Sequence, residues 1–180
     1  MELPTFVTGN PKKAEQLSRI LGVTLNHQAL DLTEVQSLSL EEVVRAKAQE
    51  AYDILKAPVL IEDASLTFHA LGKLPGTLIK WFLQELGNDG LCELLHNKDR
   101  STTAEVLYGL HDGSTIHLFS GSMEGCIAET PQGETQFGWD PIFVHTGVTK
   151  SRAEMSHEEA DAASMRTMAL GKVRIFLENN

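Results

Sequence analysis

Hydrophobic and polar positions alternate with two different periods along the chain, and together they predict a series of strands and helices. The apolar stretch 3–8 predicts a first strand. Asn10 and Pro11 then favour a helix start, because asparagine caps helices well and proline suits their first turn. Apolar residues recur at helical spacing as far as Gly22, which favours the end of this helix, and residues 23–30 predict a short strand.

A capping-box pattern in SLEE, residues 39–42, predicts a helix that ends near Leu55. The compact apolar run 58–61 favours a buried strand that ends at the acidic pair Glu62 and Asp63. These elements alternate in the way that α/β proteins do.

Further along, a helix over 78–86 is expected to end at Gly87, and a short helix follows over 90–96. Strand-like stretches at 102–110 and 115–129 flank the turn HDGS, which favours a hairpin. A short strand over 141–144 and a second capping box, Ser156 with Glu159, precede a helix to about Leu177. The order predicts an α/β fold with a mixed sheet, as one domain over residues 1–180.

Charge and composition narrow the classes of function. The 180 residues are 42% hydrophobic, which is ordinary for a globular protein, and the net charge is −10. A nucleic acid polymer is therefore not expected as a partner, since binding one needs a basic face. Cys92 and Cys126 belong to no metal-ligand pattern and predict free thiols in a reducing compartment. No signal-peptide pattern and no apolar run near ~20 residues occurs, so we expect no membrane partner and a cytoplasmic location.

The segment TGNPKK, residues 8–13, joins the first strand to the first helix. Lys12 and Lys13 lie in the first helical turn, where a cation opposes the helix dipole unless an anion binds beside it. With Gly9 and the free backbone N–H groups of the helix start, the lysines form a candidate phosphate cradle. The alternative is a solvated lysine pair on an ordinary turn, and the P-loop pattern is absent.

Glu62 and Asp63 follow a buried strand, where open α/β sheets place their sites. Adjacent strand residues point to opposite faces, so the two carboxylates are expected to have different tasks. Carboxylate oxygens suit Mg²⁺, which one or two carboxylates and substrate phosphates usually hold. Glu34 is a further, weaker candidate ligand, and a solvated acidic loop is the alternative for the whole set.

Two aromatic segments allow more than one interpretation. Trp81 and Phe82 on a helix are typical of the core or of a dimer interface. FGWDP, residues 137–141, places two aromatic residues and an acid around Gly138. Such a turn can stack on a base and accept hydrogen bonds from it, or it can be a structural corner.

Eight segments in order resemble the inosine triphosphate pyrophosphatase (ITPase) family over nearly the whole chain: TGNPKK, LTEVQ, AKAQEA, EDASL, LGKLPGTLIKWF, FGWDP, AEM and SxRxxAL. The resemblance implies an elongated mixed β-sheet flanked by helices, with two lobes around a central nucleotide cleft, and a homodimer. It also implies Mg²⁺-dependent hydrolysis of a nucleoside triphosphate such as ITP, dITP or XTP to the monophosphate and pyrophosphate, which clears aberrant nucleotides from the pool.

The same resemblance implies roles for individual residues. Asp63 would activate the attacking water with Glu62 beside it, and Glu34 would share the metal with Asp63. The triphosphate would be held by Thr8, Gly9, Asn10, Lys13 and Lys47. The base and sugar would contact Phe137, Gly138, Trp139, Asp140, Ser164, Met165 and Arg166.

The sequence departs from the family at two positions of the base pocket. The usual Ser-His-Arg reads Ser164-Met165-Arg166, and the lysine usual four residues before the serine is Ala160. Histidine and lysine can donate hydrogen bonds to base carbonyl oxygens, whereas methionine and alanine cannot, and such a change can alter substrate choice strongly. One alternative is therefore the same reaction on a different modified purine or pyrimidine triphosphate.

Two further alternatives lie outside catalysis: a nucleotide-binding sensor without turnover, and an interaction protein that uses the fold as a scaffold. Glu34, Glu62, Asp63 and Lys13 are all present and favour an enzyme. A protein that only binds nucleotide has little need of an acid that activates water.

Overall fold

The computed structural model describes residues 3–134, 138–162 and 164–180. The elements, in chain order, are β1 Thr5–Val7, α1 Pro11–Leu21, β2 His27–Gln28, α2 Leu40–Leu55, β3 Val59–Phe68, β4 Pro75–Gly76, α3 Ile79–Glu93, β5 Ser101–His111, β6 Ile116–Ile127, β7 Phe143–His145, α4 His157–Ala162 and α5 Met165–Glu178. None of the helices in these ranges has the length and apolar character that crossing a bilayer requires.

The strands form one sheet in the order β2-β1-β3-β5-β6-β7, and β4 pairs with β3 beside this path. β1 runs parallel to both β2 and β3. The pairs β3–β4 and β6–β7 are antiparallel. The predicted α/β fold with a mixed sheet is therefore confirmed.

The chain divides into two compact units. The first unit contains the residues up to Ala64 together with Val106–Gly121 and Met165–Asn180. The second unit contains Ser65–Glu105 and Ser122–Ser164. The residues predicted to bind phosphate and metal all lie in the first unit, whereas the FGWDP segment belongs to the second.

The core of the first unit explains how β3 presents its side chains. Val59 and Ile61 on β3 cluster with Ala48 and Ala51 on α2 and with Val7 on β1. Strand residues two apart share a face, and helix residues three apart share a face. The odd-numbered positions of β3 therefore face α2 at this point, and the even-numbered positions face away from it.

β3 is longer than the apolar run predicted. It continues to Phe68, so Glu62 and Asp63 lie within the strand rather than at its end. The extension is stabilised because Leu66 is buried and pairs with β4. The parallel pairing with β1 extends as far as Leu60, so the two carboxylates still come just beyond the parallel section.

The helix ends follow the predicted capping residues in most places. The Asn10 side chain caps α1, and Gly22 ends it in a left-handed conformation with φ 73. The Ser39 side chain accepts a hydrogen bond from the Glu42 N–H, but the Glu42 carboxylate accepts from the Ser37 hydroxyl instead of closing the box. The N–H of Ser39 is satisfied by that same Ser37 oxygen at 3.0 Å.

Three element boundaries differ from the predictions. β2 contains only His27–Gln28. Gly87 interrupts α3 with φ 65 as expected, although the helix resumes at once instead of at residue 90. The predicted C-terminal helix is two helices, because the chain leaves helical geometry at Ser164 between α4 and α5. The second capping box does form, with reciprocal bonds between Ser156 and Glu159.

Candidate active site

β3 gives its two adjacent carboxylates separate surroundings. Asp63 faces α2, on the same side as Ile61, and its Oδ2 lies 2.7 Å from Lys47 Nζ. Glu62 points the other way, toward Lys13 on α1 and Arg166 on α5. The alternation of the strand therefore separates the carboxylates as expected.

The Glu62 carboxylate is enclosed by three donors. Its Oε1 lies 3.1 Å from Lys13 Nζ and 3.1 Å from Arg166 Nη2, and its Oε2 accepts a 2.8 Å hydrogen bond from the Tyr108 hydroxyl. Only 2% of the Glu62 side chain is exposed. A buried charge of this kind is tolerated only when it is paired and hydrogen-bonded, and here both oxygens are. We call these four residues the Glu62 cluster.

Burial and charge act in opposite directions on Glu62. Burial raises the pKa of a carboxyl, but Arg166 and then Lys13 attract its anionic form and outweigh that effect. The pKa of Glu62 falls to about 2, so the group is an anion at neutral pH. Burial, and next the Glu62 charge, raise the pKa of Tyr108 well above its usual value, so its hydroxyl remains a donor.

The second group of charges has the opposite arrangement, with one cation between two carboxylates. Lys47 Nζ lies 2.7 Å from Asp63 Oδ2 and 3.8 Å from Glu34 Oε1. The other Asp63 oxygen accepts a 2.9 Å hydrogen bond from the N–H of Ala64. The Asp63 side chain is 22% exposed, and the Glu34 side chain is more open still. We call Lys47, Asp63 and Glu34 the Lys47 cluster.

A second glutamate fixes the loop that carries Glu34. The Glu50 carboxylate on α2 accepts hydrogen bonds from the N–H and the hydroxyl of Thr33, at 2.9 and 3.1 Å. Glu50 lies three positions after Lys47 on the helix, so the two side chains share one face. Thr33 is thereby held against α2, and Glu34 beside it comes within reach of Lys47.

The TGNPKK turn is ordered by its own polar side chains. Thr8 Oγ1 accepts the N–H of Asn10 at 3.1 Å, and Asn10 Oδ1 accepts the N–H of Lys12 at 3.0 Å. These two backbone donors are therefore already bonded within the turn, contrary to the prediction of free N–H groups there. Phosphate binding at this turn would rest mainly on the side chains of Lys12 and Lys13, beside the exposed Gly9.

In the second unit, the predicted base residue Asp140 is buried beside an arginine. Asp140 Oδ1 lies 3.4 Å from Arg152 Nε, and Arg152 Nη1 donates a 3.2 Å hydrogen bond to the Ala160 carbonyl. The neighbouring Trp139 is half-buried, and Asn88 donates to the Gly138 carbonyl at 3.0 Å. Phe137, predicted to contact the base, lies outside the described residues.

The Ser-Met-Arg segment is packed tightly. Ser164, Met165 and Arg166 are all buried. A Cβ atom at Gly121 on β6 would overlap the Met165 carbonyl oxygen, so only glycine allows α5 to start this close to the strand. Arg166, which the resemblance assigned to the base, donates a 3.1 Å hydrogen bond from Nη2 to Glu62 Oε1.

Sequence reasoning missed three residues that contact or support the predicted site residues: Tyr108, Arg152 and Glu50. A tyrosine within an apolar strand is a usable signal, because a buried hydroxyl needs a hydrogen-bond partner. The sequence gives no sign of which partner it has. Arg152 and Glu50 look like ordinary charged residues in one dimension, and only their contacts distinguish them. Trp81 also differs from the core interpretation, since 49% of it is exposed.

The described residues contain no group of three or more histidine, cysteine, aspartate or glutamate side chains placed to hold a metal ion. Asp63 and Glu34 nevertheless converge on one cationic group, Lys47 Nζ. Two carboxylates around a positive charge, with the remaining positions left to water and phosphate, fit the way proteins hold Mg²⁺. Glu62 fits that task less well, because only 2% of its side chain is exposed, against 22% of the Asp63 side chain.

The first unit thus brings three cations and three carboxylates together in space around β3. Such a set can accept a polyanion and its counter-ion, because the lysines can neutralise phosphate while the more open carboxylates face a metal ion and water.

Comparison with known proteins identifies relatives of this chain. A model of the Ham1 family matches residues 4–176. The chain is 44% identical over 178 residues to a protein of Yarrowia lipolytica named inosine triphosphate pyrophosphatase, covering 96% of this chain and 94% of that one. A protein of the same name from Aspergillus fumigatus is 42% identical over 179 residues, covering 97% of this chain and 94% of that one.

Solved structures resemble the fold over its whole length. A HAM1 protein from Coxiella burnetii superposes with a TM-score of 0.87 at 24% identity, covering 99% of this chain and all of that one. A Mycobacterium abscessus protein described as nucleoside-triphosphatase / dITP/XTP pyrophosphatase has a TM-score of 0.76 at 28% identity, covering 95% of this chain and 98% of that one.

Proposed function

The chain belongs to the Ham1 family, and we propose that it hydrolyses nucleoside triphosphates of deaminated purines, such as ITP, dITP and XTP, to the monophosphate and pyrophosphate. The family that eight short segments predicted is thereby confirmed. Nucleotide-pool sanitation, the removal of aberrant triphosphates before use, is the role that follows from this reaction.

One observation in the first unit carries the proposal. Lys13 and Lys47, both predicted to bind phosphate, lie 3.1 and 2.7 Å from Glu62 and Asp63, the two predicted catalytic carboxylates. The cations predicted to bind phosphate and the carboxylates predicted to activate water are therefore neighbours in three dimensions, although they are far apart in sequence. A triphosphate carries about four negative charges at neutral pH, so it needs both these lysines and a metal ion.

Members of this family generally use a divalent metal ion. We propose Mg²⁺, held by Asp63 and Glu34 together with substrate phosphates. When bound, such an ion supplies a compact charge that neutralises phosphate oxygens and favours departure of the leaving group. Lys47, which contacts both carboxylates, would shift toward the phosphates as they arrive.

Asp63 is the proposed base of the reaction. The N–H of Ala64 fixes one of its oxygens and Lys47 the other, so the carboxylate has a defined orientation. Asp63 accepts a proton from water as the water oxygen bonds to the α-phosphorus. The bond from that phosphorus to the oxygen that bridges the α- and β-phosphates breaks, and its electron pair leaves with the pyrophosphate. Lys13 and Lys47 stabilise the charge that develops there.

The residues at two predicted base-binding positions support a second candidate substrate within the same reaction. Ala160 and Met165 cannot donate the hydrogen bonds that a lysine and a histidine would supply at these positions. Arg152 donates a hydrogen bond to the Ala160 carbonyl, so a guanidinium is the cation beside this position where the family usually has lysine. A preference for another modified base would follow from that difference.

The decisive test is a panel of triphosphates, assayed for pyrophosphate release with and without Mg²⁺. It would include ITP, dITP, XTP, the four common deoxynucleotides and several modified bases. Selective, Mg²⁺-dependent hydrolysis of ITP and XTP is the expected result. A wide preference for these two substrates would exclude a shifted base preference. Selective hydrolysis of another base would establish the chemistry and relocate the substrate. Nucleotide binding without turnover on the whole panel would favour the non-catalytic sensor instead.

Two properties accompany this proposal. A homodimer agrees with the exposed Trp81 and Leu86 on α3, which offer apolar surface to a second copy. Sedimentation at micromolar concentration tests it, since a monomer there would contradict the proposal. A cytoplasmic location also stays a prediction, and cell fractionation would test it.

A further inference from the structure

Tyr108 is the member of the Glu62 cluster that no proposed contact with the nucleotide explains. It lies on β5, the neighbour of β3 in the sheet, and 1% of it is exposed. Its hydroxyl donates to Glu62 Oε2 at 2.8 Å. A buried phenol that donates to an ion makes a charge-assisted hydrogen bond, which is about twice as strong as a neutral one.

The bond has a geometric consequence for the other oxygen of the same carboxylate. With Oε2 held by Tyr108, Oε1 is directed at Lys13 on α1 and Arg166 on α5, each 3.1 Å away. These two helices also contact each other. A carboxylate without a partner on Oε2 could rotate, and both cations would lose a fixed acceptor at once.

We infer that Tyr108 is a positioning residue, which orients Glu62 so that this one carboxylate holds both Lys13 and Arg166 in place for the nucleotide. The inference rests on the proposed function, because Lys13 is assigned there to the phosphates and Arg166 to the base. Tyr108 then affects both ends of the substrate without contacting either. Phenylalanine fills the same space but cannot donate, so the effect belongs to the hydroxyl oxygen.

The chain supplies a matched control, since it has only two tyrosines. Tyr52 on α2 is in the same compact unit and stacks on His111 with ring centroids 4.0 Å apart. Its hydroxyl makes no hydrogen bond to any described residue. Tyr52→Phe therefore removes a phenol oxygen without touching the Glu62 cluster.

The experiment measures kcat and KM for Mg²⁺-dependent pyrophosphate release by wild type, Tyr108→Phe and Tyr52→Phe. We expect Tyr108→Phe to raise KM about tenfold, the usual effect of losing one hydrogen bond to a charged group. kcat should change less than KM, since Lys47, which also stabilises the leaving group, keeps its place beside Asp63. Tyr52→Phe should match wild type. A purely structural Tyr108 would lower the melting temperature and leave KM unchanged at 25 °C, which would overturn the inference.

Crystal structures of Tyr108→Phe and wild type decide the matter independently of activity. We expect the distances from Glu62 Oε1 to Lys13 Nζ and Arg166 Nη2 to lengthen in the variant. If wild type releases no pyrophosphate from any triphosphate, the proposed function fails, and these distances still test the positioning role. Unchanged ion pairs in the variant would refute it.

Discussion

The Glu62 cluster and the Lys47 cluster are inverse arrangements of the same charges. In the first, one buried carboxylate holds two cations; in the second, one cation lies between two carboxylates. Both start from adjacent residues of β3. The difference is exposure, because 2% of the Glu62 side chain is open to solvent but 22% of the Asp63 side chain is.

Exposure decides what each cluster can do. A buried ion pair that is fully hydrogen-bonded resists rearrangement, because any move leaves a charge without a partner in a medium of low polarity. A more open pair exchanges partners with water, phosphate or a metal ion at little cost. The Glu62 cluster therefore suits a fixed support, and the Lys47 cluster suits the reaction.

Asp63→Asn, in the Lys47 cluster, should have the largest effect on the reaction. An amide cannot take the proton of the attacking water, so kcat should fall about 10²- to 10⁴-fold, the usual contribution of a general base. Thermal stability should change little. The measurement is steady-state pyrophosphate release at saturating Mg²⁺. Asp53→Asn is the control, since Asp53 is also paired with a lysine but lies on the surface, and retained activity in Asp63→Asn would remove it from the mechanism.

Glu62→Gln should lower the free energy of unfolding as well as weaken substrate binding. Removing one partner of a buried ion pair leaves Lys13 and Arg166 without their anion, and such changes cost about 3–5 kcal/mol. Urea unfolding followed by circular dichroism measures the loss. Glu41→Gln, which disrupts an exposed pair with Arg45, should give no measurable change. Equal stability of Glu62→Gln and wild type would contradict the buried support.

The dependence of stability on pH sharpens the same contrast. The pKa of Glu62 is about 2 in the folded chain against an ordinary 4.5, so the folded state favours the anion. The contribution of Glu62 to the free energy of unfolding is complete above about pH 4.5 and is lost as the pH falls toward 2. The shift corresponds to about 3 kcal/mol. The unfolding free energy of wild type should fall as the pH is lowered from 6 to 2. That of Glu62→Gln should depend less on pH, and parallel curves would refute this.

The smallest expected effect concerns Glu34. It is exposed and 3.8 Å from Lys47, so its loss should weaken metal binding without preventing the reaction. Glu34→Gln is expected to raise the Mg²⁺ concentration for half-maximal activity about tenfold, within the range for losing a supporting group at a metal site. Saturating Mg²⁺ should restore most of kcat. An unchanged Mg²⁺ requirement would exclude Glu34 as a ligand.

Local structure could be predicted from the sequence wherever neighbouring residues decide it. The Asn10 cap, the Gly22 end and the Ser156–Glu159 box follow from hydrogen bonds that span two to four residues. The different surroundings of Glu62 and Asp63 followed from the alternation of a strand. The candidate site residues came mainly from family resemblance, and their roles remain proposals.

Long-range contacts explain the predictions that were wrong. β3 continues past Asp63 because a partner strand, β4, stabilises it, and no local signal announces that pairing. The C-terminal helix is interrupted at Ser164, and α5 then starts directly against Gly121 of β6. Tertiary packing outweighs local preference in both places.

By itself, the sequence determined the kinds of element, their order, the mixed α/β class and the family. These depend on periodicity, capping and motif order, which act over short distances in the chain or are read directly from it. Only the tertiary structure decided that Glu62 gathers Lys13, Arg166 and Tyr108, residues separated from it by up to 104 positions. The physical reason is that burial and pairing are set by which elements pack together, and a charge has no fixed role until its surroundings are known.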